Sequence, residues 1–291
     1  MAGGLSIERV DACFGAHVHG VSIAEIDAGT FGEIRELLTE YALLVFPGQH
    51  VTLDQQNQFA ARFGHLEFPA AAITNIAPDG SVLDDQSHDT VKSIRGNEGW
   101  HHDSTYMPVQ AFGAVVTAEV VPPDRAPTGF ADMRAAFEAL DVAAQERLRA
   151  MTAKHSLYYS QGLSGYLPTQ RDDGTYAMYG YHDKETPVRP LVKVHPDTGR
   201  ENLLIGRHAH EIAGMESAES EAFLDELNDW ACGDDRVHYH QWEVGDLVVW
   251  DNRRLMHRAT EFDLTNPRRI WHTRIAGDPS TEAADNHRAV S

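Results

Sequence analysis

The sequence predicts an α+β protein in which a double-sheet β core, a sandwich or a jelly roll, is flanked by helices. The main observation is a series of short β-rich segments separated by turn residues in the last third of the chain. These segments span 203–205, 237–242, 246–250 and 269–275. Longer segments with a helical spacing of apolar residues precede them and lie between them. Short strands with frequent turns, together with several helices, favour two packed sheets.

The first predicted elements are a helix and a buried strand within 30–50. Four apolar residues of this segment have helical spacing: Phe31, Ile34, Leu37 and Leu38. The apolar strand 42–46 follows and ends at Pro47-Gly48, since proline and glycine terminate regular structure. A second helix is predicted over 52–64, with Thr52 as its N-cap.

Three further elements lie between this region and the C-terminal strands. The segment "GAVVTAEVV" at 113–121 is rich in β-branched residues and ends at a Pro-Pro pair. It therefore predicts a strand. Helices are predicted over 131–151 and 217–232, where apolar residues recur with helical spacing.

Length and composition indicate one globular domain over 1–291. The chain is 42% hydrophobic and 23% charged, and no internal repeat or long linker interrupts it. Its 24 basic and 44 acidic residues give a net charge of −20. A negative field of this size repels phosphate backbones, so a nucleic-acid partner is not expected. A homo-oligomer stays open.

Targeting signals are not visible in the sequence. No apolar run approaches the 18 residues that a membrane-spanning helix requires, so no membrane association is expected. The N-terminus lacks the basic and apolar pattern of a signal peptide. With Cys13 and Cys232 as the two cysteines, a disulfide framework is not predicted, and a cytoplasmic location is expected.

The segment "NEGWHHDSTYMPV" at 97–109 contains a candidate metal site. If it is extended, alternate residues share a face, so His101 and Asp103 point together and His102 faces outward as a spacer. Such a pair offers an imidazole nitrogen and a carboxylate oxygen to one cation. With one more histidine it forms the 2-His-1-carboxylate facial triad of non-haem Fe(II) oxygenases. Taken alone, H-x-D is a weak motif, and a polar turn is the simpler interpretation.

The distal candidate ligand is His257, which follows the strand "GDLVVWDN". Eleven residues later, a strand alternation places Arg268, His272 and Arg274 on one face with Ile270. Two arginines and a histidine on an inward face require partners, because buried charge is costly when it is unpaired. A small anionic ligand beside the metal would be such a partner.

These motifs together resemble the Fe(II)/2-oxoglutarate-dependent dioxygenases. The spacing W-H-x-D at 100–103, Thr128, W-D-N-R-x-x-x-H at 250–257 and Arg268 is similar to that of the taurine dioxygenase and 2,4-dichlorophenoxyacetate dioxygenase group. Segments such as "STYMPV", "PLVKVHPDTGR" and "LLIGRHAHEIAGM" most resemble the aryloxyalkanoate branch, which opens (S)-2-phenoxypropionates. The resemblance covers nearly the whole chain and implies a double-stranded β-helix (jelly roll) core.

Site residues follow from the resemblance, position by position. It implies His101, Asp103 and His257 as ligands of Fe(II), with 2-oxoglutarate and O2 as co-substrates. It also implies that Arg268 forms a salt bridge with the distal carboxylate of 2-oxoglutarate and that Thr128 donates its hydroxyl. Asn97 falls where the family has an asparagine that lines the site.

The substrate-binding residues are less constrained by the resemblance. Where taurine dioxygenase has its sulfonate-binding arginine, this chain has His272, and Arg274 follows two residues later. Sulfonate recognition is therefore in doubt, and an anionic aromatic acid becomes the favoured substrate class. The candidate contacts are Arg274, His272, Ser104, Tyr106, His208 and Arg207. Arg274 has a second interpretation, which is pairing with an acidic residue next to the site.

Three alternatives remain at the level of the sequence. The favoured reaction is cleavage of the ether bond of an aryloxyalkanoate to give a phenol and a 2-oxo acid. A dioxygenase of the same mechanism could instead act on a sulfonate, an alkyl sulfate or a natural-product acid. A zinc hydrolase would use the same ligand types, but no H-E-x-x-H helix or second metal set is present in the sequence. A non-catalytic cupin-like protein is the third alternative.

Overall fold

The computed structural model describes residues 4–176 and 179–288, which contain both helices and sheets. The strands of these residues are β1 Ser6–Arg9, β2 Ala16–His19, β3 Leu43–Phe46, β4 Leu66–Thr74, β5 Gly113–Val120, β6 Thr128–Asp132, β7 Thr152–His155, β8 Val188–Pro190, β9 Val192–Val194, β10 Glu201–Leu203, β11 Ala209–Ile212, β12 Val237–His240, β13 Leu247–Asp251, β14 Leu255–Ala259 and β15 Arg269–Ile275. The helices are α1 Ala28–Tyr41, α2 Leu53–Ala61, α3 Asp89–Gly96, α4 Met133–Glu138, α5 Val142–Arg149, α6 Leu157–Leu163, α7 Ser217–Ala231 and α8 Pro279–Glu282.

Two sheets are central to the fold. The larger has seven strands in the order β1-β2-β3-β13-β5-β15-β4, and a three-stranded sheet has the order β12-β6-β14. Pairing in both is antiparallel except between β2 and β3. Phe130 of the small sheet packs against Trp250 of the large sheet with ring centroids 5.6 Å apart. Two further sheets, the three-stranded β11-β7-β8 and the two-stranded β10-β9, lie elsewhere in the fold.

The N-terminal elements confirm the sequence prediction closely. Helix α1 ends where Ala42 adopts a φ of 61°, and strand β3 begins at the next residue. Thr52 caps α2 as predicted, and its hydroxyl accepts a hydrogen bond from Gln55 N at 3.3 Å. The Gln55 side chain in turn accepts from Thr52 N at 2.8 Å. This reciprocal capping box fixes the start of α2.

The predicted helix over 131–151 is wrong in two places. Its first two residues belong to strand β6, because Ala131 and Asp132 pair with β14. Asp132 then caps α4 by accepting from Arg134 N at 3.0 Å. Asp141 interrupts the helical pattern and caps α5 through Ala144 N at 2.8 Å. Aspartate side chains that bond the backbone favour such breaks over helix interiors.

The C-terminal strands are confirmed with shifts of one to two residues at their ends. Strand β15 has the predicted bounds, whereas the strand predicted over 203–205 is found at Glu201–Leu203. In the two described ranges, no helix is long and apolar enough to cross a membrane.

Candidate metal centre and its cavity

A short backbone bridge brings two of the predicted metal ligands together. His101 N–H donates to His257 O at 3.0 Å, and His257 N–H donates to His101 O at 2.9 Å. Asp103 lies two residues further on. Its Oδ1 is 3.9 Å from His101 Nε2, and its Oδ2 is 3.8 Å from His257 Nε2. One ligand atom of each of the three residues lies within 4.8 Å of the others, which is the spacing of a single-ion site.

The protonation states of these three residues suit a divalent cation. Burial lowers the pKa of His257 to about 4 and that of His101 well below its usual value. Burial alone would raise the pKa of Asp103, but the Arg274 guanidinium together with His257 and His272 outweighs burial and holds this pKa well below the usual range. Neutral imidazoles and an ionised carboxylate are the forms that bind metals.

Hydrogen bonding orients the ligand atoms toward one another. His101 Nδ1 donates to Gly99 O at 2.8 Å, which leaves Nε2 unprotonated and directed at Asp103. Within residues 4–176 and 179–288, the buried Asp103 Oδ2 makes no hydrogen bond of good geometry, and His272 Nε2 lies 3.4 Å from it. A buried anionic oxygen with such weak hydrogen bonding is costly, so a bound cation is the partner that this arrangement fits. The donor set matches the facial triad of Fe(II) oxygenases.

His102 does not face outward as the alternation of a strand predicted. The residues around the ligands are not a strand: within 100–104 only His101 forms a bridge, and Asp103 lies in a turn in which Ser104 has a φ of 57°. The His102 ring is fully buried, and its Nδ1 donates to Asn252 O at 2.7 Å. His102 therefore points away from the cluster but into the protein interior.

This arrangement predicts different results for the two adjacent histidines. We expect His101→Ala to lose tight Mn(II) binding, because it removes a ligand atom. His102→Ala is expected to retain most of the affinity and to lower the free energy of unfolding by about 2–4 kcal/mol through the buried volume and hydrogen bond it loses. Mn(II) titration followed by electron paramagnetic resonance, with urea unfolding of the apo-proteins, measures both quantities. Equal losses of affinity would contradict this assignment.

A cavity between the large and the small sheet opens onto the cluster. Its walls include Val116 and Ile270 from the large sheet and Phe130 from the small sheet. The residues of the sequence prediction that line it are His101, Asp103, His257, Asn97, Thr128, Arg268, His272 and Arg274. Asn97 reaches this cavity from the C-terminal end of α3. The predicted alternation of β15 is therefore confirmed on its inward face.

Arg268 is a buried cation that faces this cavity. Its side chain is almost fully buried, and burial lowers its pKa to about 10. Within the described ranges, no group accepts a hydrogen bond from its guanidinium, which lies 5.6 Å from the ring centroid of Phe262. Its backbone N–H is held by Asn75 Oδ1 at 2.8 Å. An anion in the cavity would neutralise this charge, and a carboxylate matches the guanidinium geometry.

Thr128 is oriented toward the same cavity by Trp242. The indole Nε1 of Trp242 donates to Thr128 Oγ1 at 2.9 Å. A hydroxyl that accepts from one partner retains its own proton for another. Thr128 can therefore donate to an anion held by Arg268.

Arg274 contacts the metal cluster itself. Its Nη2 donates to Asp103 Oδ1 at 2.6 Å, and its Nη1 donates to Ser104 Oγ at 3.1 Å. The guanidinium also lies 4.9 Å from the ring centroid of Phe68. This is the pairing with an acidic residue that the sequence left open. The buried Arg274 Nε has no hydrogen-bond partner among the described residues.

Ser104 and Tyr106 border the cluster, and two unpredicted residues join them. The Tyr106 hydroxyl lies 3.5 Å from Arg274 Nη1. Ser104 Oγ donates to Glu67, whose carboxylate also accepts from the Tyr179 hydroxyl. Burial raises the pKa of Glu67. No motif in the sequence indicates Glu67 or Tyr179, since both reach the site through long-range packing.

Four predicted substrate contacts lie outside the cavity walls: Ser104 and Tyr106, which border the cluster, and Arg207 and His208. Arg207 donates to Gly96 O and Gln161, and to Ser164 Oγ at 3.3 Å, in a separate groove. His208 is buried behind the cluster, with its ring centroid 5.7 Å from that of His101. Strand β11 begins at the residue after His208, and the turn before it directs Arg207 away from the metal ligands.

Comparison with known proteins gives close relatives over nearly the whole chain. The family described as "Taurine catabolism dioxygenase TauD, TfdA family" matches residues 6–276. An (S)-phenoxypropionate/alpha-ketoglutarate-dioxygenase from Sphingobium herbicidovorans is 53% identical over 288 residues, which cover 99% of this chain and 100% of the relative. An alpha-ketoglutarate-dependent 2,4-dichlorophenoxyacetate dioxygenase from Cupriavidus pinatubonensis is 35% identical, covering 88% of this chain and 92% of the relative.

A solved structure has the same fold. It is the crystal structure of AAD-2 in complex with Mn(II) and N-oxalylglycine, with a TM-score of 0.87 and 33% identity. The match covers 97% of this chain and 98% of that chain. The arrangement of helices and sheets described above is therefore shared with a metal-binding relative.

Proposed function

The chain belongs to the TauD/TfdA dioxygenase family, and from this premise we propose that its substrate is an aryloxyalkanoate such as (S)-2-phenoxypropionate. It is an oxidoreductase that uses Fe(II), 2-oxoglutarate and O2. The observation that carries the proposal is one cavity containing the His101–Asp103–His257 cluster and two buried arginines, Arg268 and Arg274. Each arginine suits one carboxylate, so the cavity offers a separate cation to each of two acids.

His101, Asp103 and His257 would hold Fe(II), which would supply the chemistry that oxidises a substrate C–H bond as O2 and 2-oxoglutarate are consumed to give succinate and CO2. If the oxidised carbon carries the aryl ether oxygen, the resulting hemiketal collapses to a phenol and a 2-oxo acid. The protein supplies position and exclusion of water. Arg268 and Thr128 would hold the distal carboxylate of 2-oxoglutarate, and Asn97 lies on the same cavity wall.

Arg274 is proposed to receive the carboxylate of the aryloxy acid. It lies six residues after Arg268, which directly precedes β15, and six residues span about 20 Å in an ideal strand, so the two guanidinium groups enter the cavity from different positions. The donors for this contact are its remaining N–H groups, because Asp103 occupies one N–H of Nη2 and Nε has no partner among the described residues. Phe68, Tyr106 and Tyr179 surround Arg274 outside the cavity walls, and the apolar wall available to an aryl ring includes Val116, Phe130 and Ile270. His272 and Ser104 would complete the contacts.

We also propose that the two central sheets form a jelly-roll core. The seven-stranded sheet and the β12-β6-β14 sheet enclose the cavity from two sides. This supports the double-stranded β-helix (jelly roll) core that the resemblance implied. One dioxygenase domain over 1–291 is supported by the family match to residues 6–276. The cytoplasmic location stays a prediction.

A substrate panel tests the proposal, with succinate release as the readout. The panel contains both enantiomers of 2-phenoxypropionate, 2,4-dichlorophenoxyacetate, taurine and an alkyl sulfate. We expect succinate and phenol in equal amounts with (S)-2-phenoxypropionate, and less of both with the other acids. Succinate release that depends on taurine or the alkyl sulfate, and on neither aryloxy acid, would assign the enzyme to the alternative substrate class. Background release with every acid, or zinc-dependent hydrolysis, would reject the dioxygenase proposal for this cavity.

A further inference from the structure

Asn252 occupies the crossover between the two sheets that enclose the cavity. Strand β13 of the large sheet ends at Asp251, and strand β14 of the small sheet begins at Leu255. Asn252 lies between them and is fully buried. It belongs to the W-D-N-R-x-x-x-H motif, to which the proposed function assigns only His257.

The side chain of Asn252 binds the backbone of the proposed metal ligand Asp103 at two points. Asp103 N–H donates to Asn252 Oδ1 at 2.7 Å, and Asn252 Nδ2 donates to Asp103 O at 3.0 Å. A third hydrogen bond runs from Nδ2 to Ala111 O at 3.0 Å. Asp103 lies in a turn and has no neighbouring strand to bond its backbone groups. The Asn252 amide bonds them instead.

The backbone of Asn252 holds the residues on both sides of the same turn. Its carbonyl accepts from His102 Nδ1 at 2.7 Å and from Gln110 Nε2 at 3.3 Å. Its N–H donates to Phe112 O at 2.9 Å. The turn is strained at Ser104, whose φ of 57° lies in the left-handed region. A strained turn persists when the surrounding contacts determine it.

The flanking residues anchor this crossover independently of the cavity. Arg253 donates to Asp251 Oδ2 at 2.6 Å, and His195 Nε2 lies 3.0 Å from the same oxygen. Arg254 donates to Asp132 Oδ2 at 2.5 Å. Asn252 is therefore fixed on both sides by buried ion pairs, which makes it a rigid support.

We propose that Asn252 is a positioning residue that sets the Asp103 carboxylate in register with His101 and His257. The His101–His257 bridge aligns the two imidazoles, and the Asn252 amide aligns the carboxylate with them. Asn252 lies five residues before His257. The same crossover therefore leads to the ligand His257 and carries the residue that supports the ligand Asp103. The proposal rests on the assignment of Asp103 as a metal ligand and does not depend on the identity of the substrate.

The test measures Mn(II) affinity in Asn252→Ala and Asn252→Ser by electron paramagnetic resonance of free Mn(II). Partners that orient a metal ligand typically contribute 10- to 100-fold to metal affinity. We therefore expect the Kd for Mn(II) to rise by about 10-fold or more in Asn252→Ala. Asn252→Ser is the milder change, since its short hydroxyl reaches fewer of the three backbone groups, and we expect a smaller rise in the same direction.

Asn202→Ala is the matched control. Asn202 is also buried, and its Nδ2 faces the backbone oxygens Arg200 O at 3.3 Å and Lys193 O at 3.5 Å, away from the cluster. We expect it to lower the melting temperature of the apo-protein without changing the Kd for Mn(II).

The outcomes separate the positioning role from the metal assignment beneath it. A Kd within threefold of wild type in both Asn252 variants, or an equal rise in Asn202→Ala, would overturn the proposal. If Asp103→Ala also leaves the Kd unchanged, the metal assignment itself fails instead.

Discussion

Replacing Asp103 with alanine is expected to abolish metal binding and the visible charge-transfer band that Fe(II) and 2-oxoglutarate give without oxygen. The substitution removes the one anionic ligand of the His101–Asp103–His257 cluster and leaves two neutral imidazoles. Two such ligands bind a divalent cation far more weakly than a facial triad. Anaerobic titration of Fe(II) in the presence of 2-oxoglutarate, followed by absorption, measures the loss. A band of undiminished intensity in Asp103→Ala would reject Asp103 as a ligand.

A loss of stability must be separated from the loss of the ligand. Asp103→Ala leaves Arg274 buried without its carboxylate, and breaking a buried pair costs about 3–5 kcal/mol. Glu282→Ala is the matched control, because Glu282 forms a buried pair with Lys193 and belongs neither to the cluster nor to the crossover that carries Asn252. We expect both variants to unfold at lower denaturant concentration. The Glu282 variant should keep its Mn(II) affinity, whereas the Asp103 variant should not.

Features that depend on local chain geometry could be predicted from the sequence. The inward face of β15 follows from strand alternation, so Arg268, His272 and Arg274 fall on one wall as predicted. The cap of α2 at Thr52 follows from the chemistry of the first helical turn. The specific spacing of the motifs identified the family, which then supplied roles for residues that are distant in sequence.

Features that depend on long-range packing could not be predicted. The ligands were expected in a strand, but Asp103 lies in a turn that Asn252, 149 residues away, holds in place. The same turn buries His102, which alternation had directed outward. Glu67 reaches Ser104 across 37 residues and carries no motif. Such contacts depend on how the two sheets meet, which no periodicity within one segment encodes.

A second large effect is expected in Arg268→Ala, which should raise the KM for 2-oxoglutarate with a small effect on the KM for the aryloxy acid. Removal of one partner from a buried, hydrogen-bonded charge pair costs about 2–5 kcal/mol, which corresponds to about 30-fold or more. Thr128→Val should raise the same KM by less, because it removes one hydrogen bond to a charged group. Initial rates of succinate formation at varied 2-oxoglutarate, with the aryloxy acid saturating, measure both effects.

Arg269→Ala is the matched control for this prediction. Arg269 is the next residue, but its side chain points outward and pairs with the surface residue Glu119 at 3.3 Å. Its substitution should leave both KM values unchanged, since exposed pairs contribute little.

Arg274→Ala is expected to have the opposite effect on the two KM values, raising the KM for the aryloxy acid more than the KM for 2-oxoglutarate. It should also weaken Mn(II) binding, because Arg274 holds Asp103. Equal increases in both KM values in Arg268→Ala and Arg274→Ala would contradict the assignment of one arginine to each carboxylate.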